Sequence, residues 1–375
     1  MALSFVLPML FIRLMLKSDL GLYAKALTLQ LFFVALLRLG SGEYLLKSKG
    51  NKYRLTEITT SLCLHALILL APTILVGFWL LSLPNSLTLL VVLSGLGSSI
   101  FNLMMIEYRD QNAWKNFGLL EITYSLIMPI LSLGLVYYLD YDVESRFILP
   151  SILALIIAVK VFVNRGNFLR IWEAYRSLLN FGYKIGVLQV LNAAFILILV
   201  SRLSFVSNNE VMGDWQVMRG LTFILPQTVI ALIDVYIQDV YSEIKTVRTE
   251  WYRLFTKSWV IWLLGLIIWF TIPLWSKSFL LLYAGESYLP LVDLLFVGFT
   301  YSFLMIVNHV SLKSFYIQGM VTEGTSSSIV GLLVAGALIL RMHNLHDALV
   351  ILVVKEFLQL ILLNIYVVFN RKGIS

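Results

Sequence analysis

The chain is poor in charge, in histidine and in cysteine. Charged residues make up 13% of its 375 positions, histidine occurs four times, and Cys63 is the one cysteine. A lone cysteine forms no internal disulfide, so disulfide-scaffold classes are excluded. Soluble domains are about 25% charged and about 45–50% apolar. Here 59% of residues are hydrophobic and the mean hydropathy is +0.88. A soluble fold of this composition would carry more apolar surface than its core could bury, so water is excluded as the main solvent. Collagen-like and disordered classes fall on the same grounds. No Walker A phrase occurs, which excludes an ATP-driven subunit with its own motor. No cysteines or histidines pair at metal-ligand spacing, and no Gly-x-Ser-x-Gly elbow is present. No metal, cofactor or catalytic centre is expected.

What the chain does have is apolar runs. They predict twelve helices, at 2–16, 22–46, 57–82, 86–106, 116–138, 146–164, 183–205, 214–240, 255–275, 289–315, 325–341 and 346–369. Twelve spans of about 20 residues use about 240 and leave about 135 for loops and tails. That excludes a sizeable soluble domain. The runs are continuous rather than alternating, which excludes a β-barrel. The expected class is an all-α polytopic membrane protein. Met1 runs directly into an apolar helix with no basic leader or small-residue cleavage site, so no secretory signal peptide is expected.

The basic residues set orientation. One set of loops carries Lys47, Lys49, Lys52, Arg54, Arg109, Lys115, Arg165, Arg170, Arg176, Lys245, Arg248, Arg253, Lys257, Arg371 and Lys372. The alternate set carries only Lys17, Arg146, Lys277 and Arg341, together with Asp140, Asp142 and Glu144. The bias keeps its sign along the chain, which predicts cytoplasmic N- and C-termini. The net charge of +7 is accounted for by this rule and by attraction to anionic membrane lipids, so no nucleic acid is expected. Phe168, Trp172, Tyr175 and Leu179 recur at helical spacing with Arg170 and Arg176 between them. The stretch 167–179 therefore predicts a short interfacial helix on the cytoplasmic side.

The chain divides into residues 1–175, a six-helix bundle with its connecting helix, and residues 176–375, a second six-helix bundle. A similar phrase stands near the start of each half: Ser18-Asp19-Leu20-Gly21-Leu22-Tyr23 and Glu210-Val211-Met212-Gly213-Asp214-Trp215. Each predicts a tight external turn at the glycine, followed by an aromatic at headgroup level. Six helices is an even number, so the halves would be parallel repeats, with substrate between them and access that alternates as they rock. Pro8, Pro72, Pro129, Pro226 and Pro273 interrupt predicted helices. The triplet Asp140-Tyr141-Asp142 has the form of a sugar-transferase motif, but a short acidic external loop reads more simply as topology.

Four stretches carry a resemblance that spans the chain. They are Asp19–Tyr23 with Leu36-Leu37-Arg38-Leu39-Gly40-Ser41-Gly42; Leu179-Asn180-Phe181-Gly182-Tyr183; Val211–Trp215; and Leu282-Tyr283-Ala284-Gly285-Glu286-Ser287-Tyr288-Leu289-Pro290. In order and spacing they resemble the polysaccharide (O-antigen type) flippases of the multidrug/oligosaccharidyl-lipid/polysaccharide exporter superfamily. Where that family often has an acid near the end of the seventh helix, this chain has Ser201 before Arg202. The resemblance implies transport of an undecaprenyl-diphosphate-linked oligosaccharide across the bacterial inner membrane. It also implies a polysaccharide polymerase and a chain-length regulator as partners. A multidrug exporter of the same superfamily and a membrane-embedded polymerase or glycosyltransferase are the alternatives.

Charges inside spans mark where such a function would sit. Each costs roughly 2.5–3.5 kcal/mol near mid-bilayer on insertion scales. Arg38, Arg219, Arg13 and Arg202, in that order, are the candidates to grip a diphosphate or an acidic sugar, because a guanidinium offers two parallel donors. Lys25, early in the second helix, is a further cavity candidate. Asp234, Asp293 and Glu121 are the candidates for ion coupling, since an isolated buried carboxylate can carry a proton. Lys355 and Glu356 are adjacent, so a mutual ion pair is not expected. His65 and the amides Asn102, Gln189, Asn192, Gln227 and Asn308 read first as groups that join helices.

Overall fold

A computed structural model describes residues 9–38, 55–110, 113–123, 127–139, 143–163, 168–241, 259–317 and 321–369. Among these residues all regular structure is helical, with no strand. Residues 9–14 form a helical turn ahead of α1, Lys17–Arg38. There follow α2 Leu55–Leu81, α3 Asn85–Asp110, α4 Trp114–Ile122, α5 Met128–Leu139, α6 Ser145–Val163 and α7 Phe168–Val206. The rest of the chain supplies α8 Asn209–Tyr241, α9 Trp259–Tyr283, a 3-10 turn Glu286–Leu291, α10 Val292–Ile317, α11 Val321–Ile339 and α12 Leu345–Phe369. Among the described residues, seven segments are long and apolar enough to cross a membrane. Apolar side chains lie on the surface of the fold as well as inside it: Trp79, Leu274, Phe205 and Phe270 are all exposed. A fold with greasy helices on both its inside and its outside is built for lipid. The chain is an all-α, multi-pass membrane protein.

The chain forms two compact units, residues 2–204 and 205–375. In the first, α3 packs against α1, α2 and α6, and α6 packs against α5. Its core joins Phe33 and Leu37 of α1, Ile58 and Leu62 of α2, Val92 and Ile100 of α3, and Ala174 of α7. In the second unit, α10 packs against α8, α9 and α12, and α12 packs against α11. In each unit, taken by itself, one helix, α3 or α10, packs against at least three others.

Local chemistry sets the helix ends. Asn208 caps α8, its Oδ1 accepting from the Val211 N–H at 3.0 Å. Asn344 caps α12 in the same way, accepting from Asp347 at 2.9 Å, while the Asp347 carboxylate accepts from the His343 N–H. Gly285 has φ 99°, a conformation that side chains resist, and it ends α9 before the 3-10 turn.

Two expectations are corrected here. Gly21 and Gly213 do not make tight turns; both are buried inside helices, because the starting signals stand earlier, with Asp19 in the first turn of α1 and Asn208 before α8. The interfacial helix expected at 167–179 is not a separate element but the first part of α7, which runs unbroken for 39 residues. No proline lies between Leu179 and Val206, and the glycines there keep their backbone bonds within the helix, as an apolar solvent demands. The segment expected at 116–138 falls on α4 and α5, and residues 124–126 between them lie outside the described residues.

Candidate functional site

The first unit holds a polar seam between α1 and α3. On α1, Tyr23, Gln30 and Arg38 are spaced by seven and eight residues and share a face. On α3, Ser94, Ser98 and Asn102 recur every fourth residue. The two rows meet. Gln30 Nε2 donates to Ser94 Oγ at 2.8 Å, and Arg38 Nη2 donates to the Ser98 carbonyl at 3.3 Å. That carbonyl also accepts from Asn102 Nδ2 at 3.0 Å. Both rows advance in the same direction, so α1 and α3 run parallel here.

The seam opens into a cavity of about 210 Å³ bounded by α1, α3, α5 and α6. Its polar lining is Tyr23, Gln30, Ser98, Ser132 and Arg146. Its apolar wall includes Phe147, whose ring lies 5.9 Å from that of Tyr23. The Arg146 guanidinium stands over the ring of Phe11 at 4.7 Å, and Phe11 in turn packs on Tyr23 at 5.2 Å. Aromatic faces thus hold the cation in place. Ser151 ties α6 to α3 by donating to the Leu90 carbonyl at 2.8 Å. The α3–α6 approach is close at Gly97, where a Cβ would come within 2.7 Å of the Pro150 carbonyl oxygen. A cavity with one guanidinium, hydroxyls, an amide and aromatic walls suits an anionic, hydroxyl-rich group.

The candidate residues fall at different places. Arg38 is half-buried at the end of α1 and reaches the cavity wall through Ser98. Lys25 is buried on α1. Arg13 is exposed in the helical turn before α1, and Arg202 is half-buried near the end of α7. Arg219 is buried on α8, in the second unit. Glu121 is exposed on α4, and Asp293 is exposed in the first turn of α10. The side chain of Asp234 lies outside the described residues. So do Asp140 and Asp142, while Glu144 accepts from Ser86 Oγ at 3.2 Å.

Sequence reasoning did not pick out Arg146, Gln30, Ser98 or Ser132. It counted Arg146 among the external loop charges, and it passed over lone serines. The signal for Ser98 is the four-residue repeat of Ser94, Ser98 and Asn102 on α3. For Arg146 no local signal exists, because Phe11 and Tyr23 are distant in sequence.

A second polar group docks the start of α7. Glu57, Ser61 and His65 stand at four-residue spacing on α2 and face Arg170, Ile171 and Tyr175. Glu57 Oε1 lies 3.7 Å from Arg170 Nη1, and Ser61 Oγ donates to the Ile171 carbonyl at 3.0 Å. His65 Nδ1 is bonded to the Tyr175 hydroxyl at 3.1 Å, and its Nε2 lies 3.3 Å from the Leu36 carbonyl. Burial raises the Tyr175 hydroxyl above its usual range, so it stays protonated.

The second unit contains a different arrangement. Lys355 and Glu356 form an ion pair at 2.7 Å, contrary to expectation. Helix geometry points neighbouring residues about 100° apart. The flexible lysine stem spans that angle, and no water competes in the buried setting. Asn308 of α10 donates to Glu356, and Tyr301 lies within electrostatic reach of both Glu356 and Arg219.

No family model, curated protein or solved structure matches the chain. The fold therefore defines its class, a multi-pass helical membrane protein, and the residues themselves carry the functional reading.

Proposed function

We propose that the chain is a flippase that moves an undecaprenyl-diphosphate-linked oligosaccharide from the cytoplasmic to the periplasmic leaflet of the bacterial inner membrane. Twelve spans in two parallel bundles of six, with both termini cytoplasmic, would rock about the substrate and alternate its access. The observation that carries the reading is the cation-bearing, hydroxyl-lined cavity within a helical unit of a very apolar chain. A diphosphate and a glycan cannot cross about 30 Å of hydrocarbon unaided. They need a polar path, while the lipid tail stays in the bilayer. Arg146 would meet the anionic group, Arg38 would stiffen the seam beside it, and Gln30, Ser98 and Ser132 would meet sugar hydroxyls. The four family-like stretches support the same reading. No covalent bond is made or broken in this activity.

A clean deletion tests it. Lipid-linked repeat units should accumulate on the cytoplasmic leaflet, and surface polysaccharide should disappear. Normal surface glycan would refute the proposal. The two alternatives separate readily. An exporter of cationic drugs would not place Arg146 in its cavity. A polymerase or glycosyltransferase of this topology would depend on external acids, so Asp140→Ala, Asp142→Ala and Glu144→Ala should leave a flippase intact. For coupling through Asp234, Asp293 or Glu121, substrate movement in liposomes should follow an imposed ion gradient. Insensitivity to every gradient would leave downhill exchange.

A further inference from the structure

The cavity of the first unit is small and carries little charge. At about 210 Å³ it falls short of the roughly 300–1,000 Å³ that holds a drug-sized ligand, and it suits a single ring. Among the described residues its lining holds one cation, Arg146, and no acid. No carboxylate among the described residues pairs with that guanidinium, which rests over the Phe11 ring at 4.7 Å. An aromatic face attracts the cation without using its N–H donors. One guanidinium neutralises one negative charge. A carrier diphosphate brings two, and the second would be buried uncompensated.

The hydroxyls narrow the choice further. Ser98 Oγ donates to the Ser94 carbonyl at 2.9 Å, and Ser132 Oγ donates to the Met128 carbonyl at 2.9 Å. A hydroxyl has a single proton, so what these two serines offer a ligand is an acceptor. Ser94 Oγ donates to the Val91 carbonyl at 3.1 Å and therefore accepts from Gln30, which turns the amide nitrogen of Gln30 toward α3. The Gln30 oxygen, a further acceptor, makes no hydrogen bond among the described residues. A phosphate or diphosphate ester has no donor at neutral pH and would set its oxygens against these. A hydroxylated ring supplies the donors they lack. Its C–H face has an apolar wall to pack on, where the rings of Tyr23 and Phe147 lie 5.9 Å apart.

We infer that the cavity of the first unit is a subsite for one acidic sugar, with its carboxylate on Arg146 and its hydroxyls on Ser98, Ser132 and Gln30, and that the carrier diphosphate binds elsewhere. That the sugar belongs to a transported glycan rests on the flippase reading; the binding chemistry does not.

The test uses the full chain in nanodiscs and titrates it with free ligands. The probes are glucuronate, galacturonate and mannuronate, with glucose, cyclohexanecarboxylate and inorganic pyrophosphate as comparisons. At least one sugar acid should bind about tenfold or more tighter than glucose, which lacks the charge, and than cyclohexanecarboxylate, which lacks the hydroxyls. Pyrophosphate should bind more weakly than that sugar acid. Arg146→Gln should weaken the sugar acid about tenfold or more and leave glucose unchanged. Ser132→Ala should weaken the sugar acid and leave cyclohexanecarboxylate unchanged. The probe series on the wild-type chain decides the matter should a variant fail to fold. Absence of binding by all three sugar acids would overturn the inference. So would pyrophosphate that binds as tightly as they do and depends equally on Arg146. A deletion strain with normal surface glycan would instead remove the flippase reading and leave the binding result standing.

Discussion

Arg146 stands over the ring of Phe11, its guanidinium carbon 4.7 Å from the ring centroid. The contact holds a cation at the edge of the cavity in the first unit, and it joins residues that lie far apart in sequence. Arg146→Ala should abolish surface polysaccharide at normal protein level, and Arg146→Lys should keep part of it. Phe11→Leu should weaken function less, since a cation–π contact is worth about 0.5–2 kcal/mol. Surface glycan and binding of a labelled anionic substrate are the readouts. Unchanged glycan in Arg146→Ala would take the cavity out of the mechanism.

Arg38 bonds the Ser98 carbonyl, and Ser98 lines the same cavity. Arg38→Ala should lose complementation while the protein accumulates normally. Arg38→Lys should retain part of the activity, because an ammonium can still donate to a carbonyl. Full activity of the alanine variant would remove Arg38 from the argument.

Two glycines give a paired test of packing. At Gly97 an added Cβ would meet the Pro150 carbonyl at 2.7 Å and the Ala154 Cβ at 3.0 Å. Gly97→Ala should lower stability by roughly 1–3 kcal/mol through overpacking, and it should weaken function, because α3 and α6 form the cavity. At Gly118 nothing lies within 4 Å. Gly118→Ala should be neutral or slightly stabilising, as alanine favours helix. Thermal unfolding of the two variants side by side checks the contrast.

The docking of α7 on α2 rests on His65 and Tyr175. Tyr175→Phe should cost about 0.5–1.5 kcal/mol, the net worth of one hydrogen bond. The double variant with His65→Phe should cost less than the sum of the two single changes. Strict additivity in thermal unfolding would show that the pair does not couple.

Much of the architecture could be read from the chain. The predicted segments at 57–82, 86–106 and 346–369 fall on α2, α3 and α12, and the described part of 22–46 falls on α1, because long apolar runs leave a helix as their only solution in lipid. The misreadings have physical reasons too. Gly21 looked like a turn because glycine permits one, but the backbone bonds around it were already committed to a helix. Lys355 and Glu356 looked divergent because helix geometry alone ignores the reach of a lysine stem. Arg38 was legible as a costly charge. Arg146 was not, because it lies next to a turn where a charge is cheap.

By itself, then, the sequence determined solvent and class. A chain that is 59% hydrophobic with runs of span length has only the bilayer to fold in, and only helices satisfy its backbone there. Tertiary structure decided which few polar groups meet. The row of serines on α3 became a seam only when α1 came alongside with Gln30 and Arg38. Arg146 became part of a site only when Phe11 and Tyr23 packed beneath it. Such meetings depend on which helix faces touch, and periodicity within one helix does not specify its neighbour.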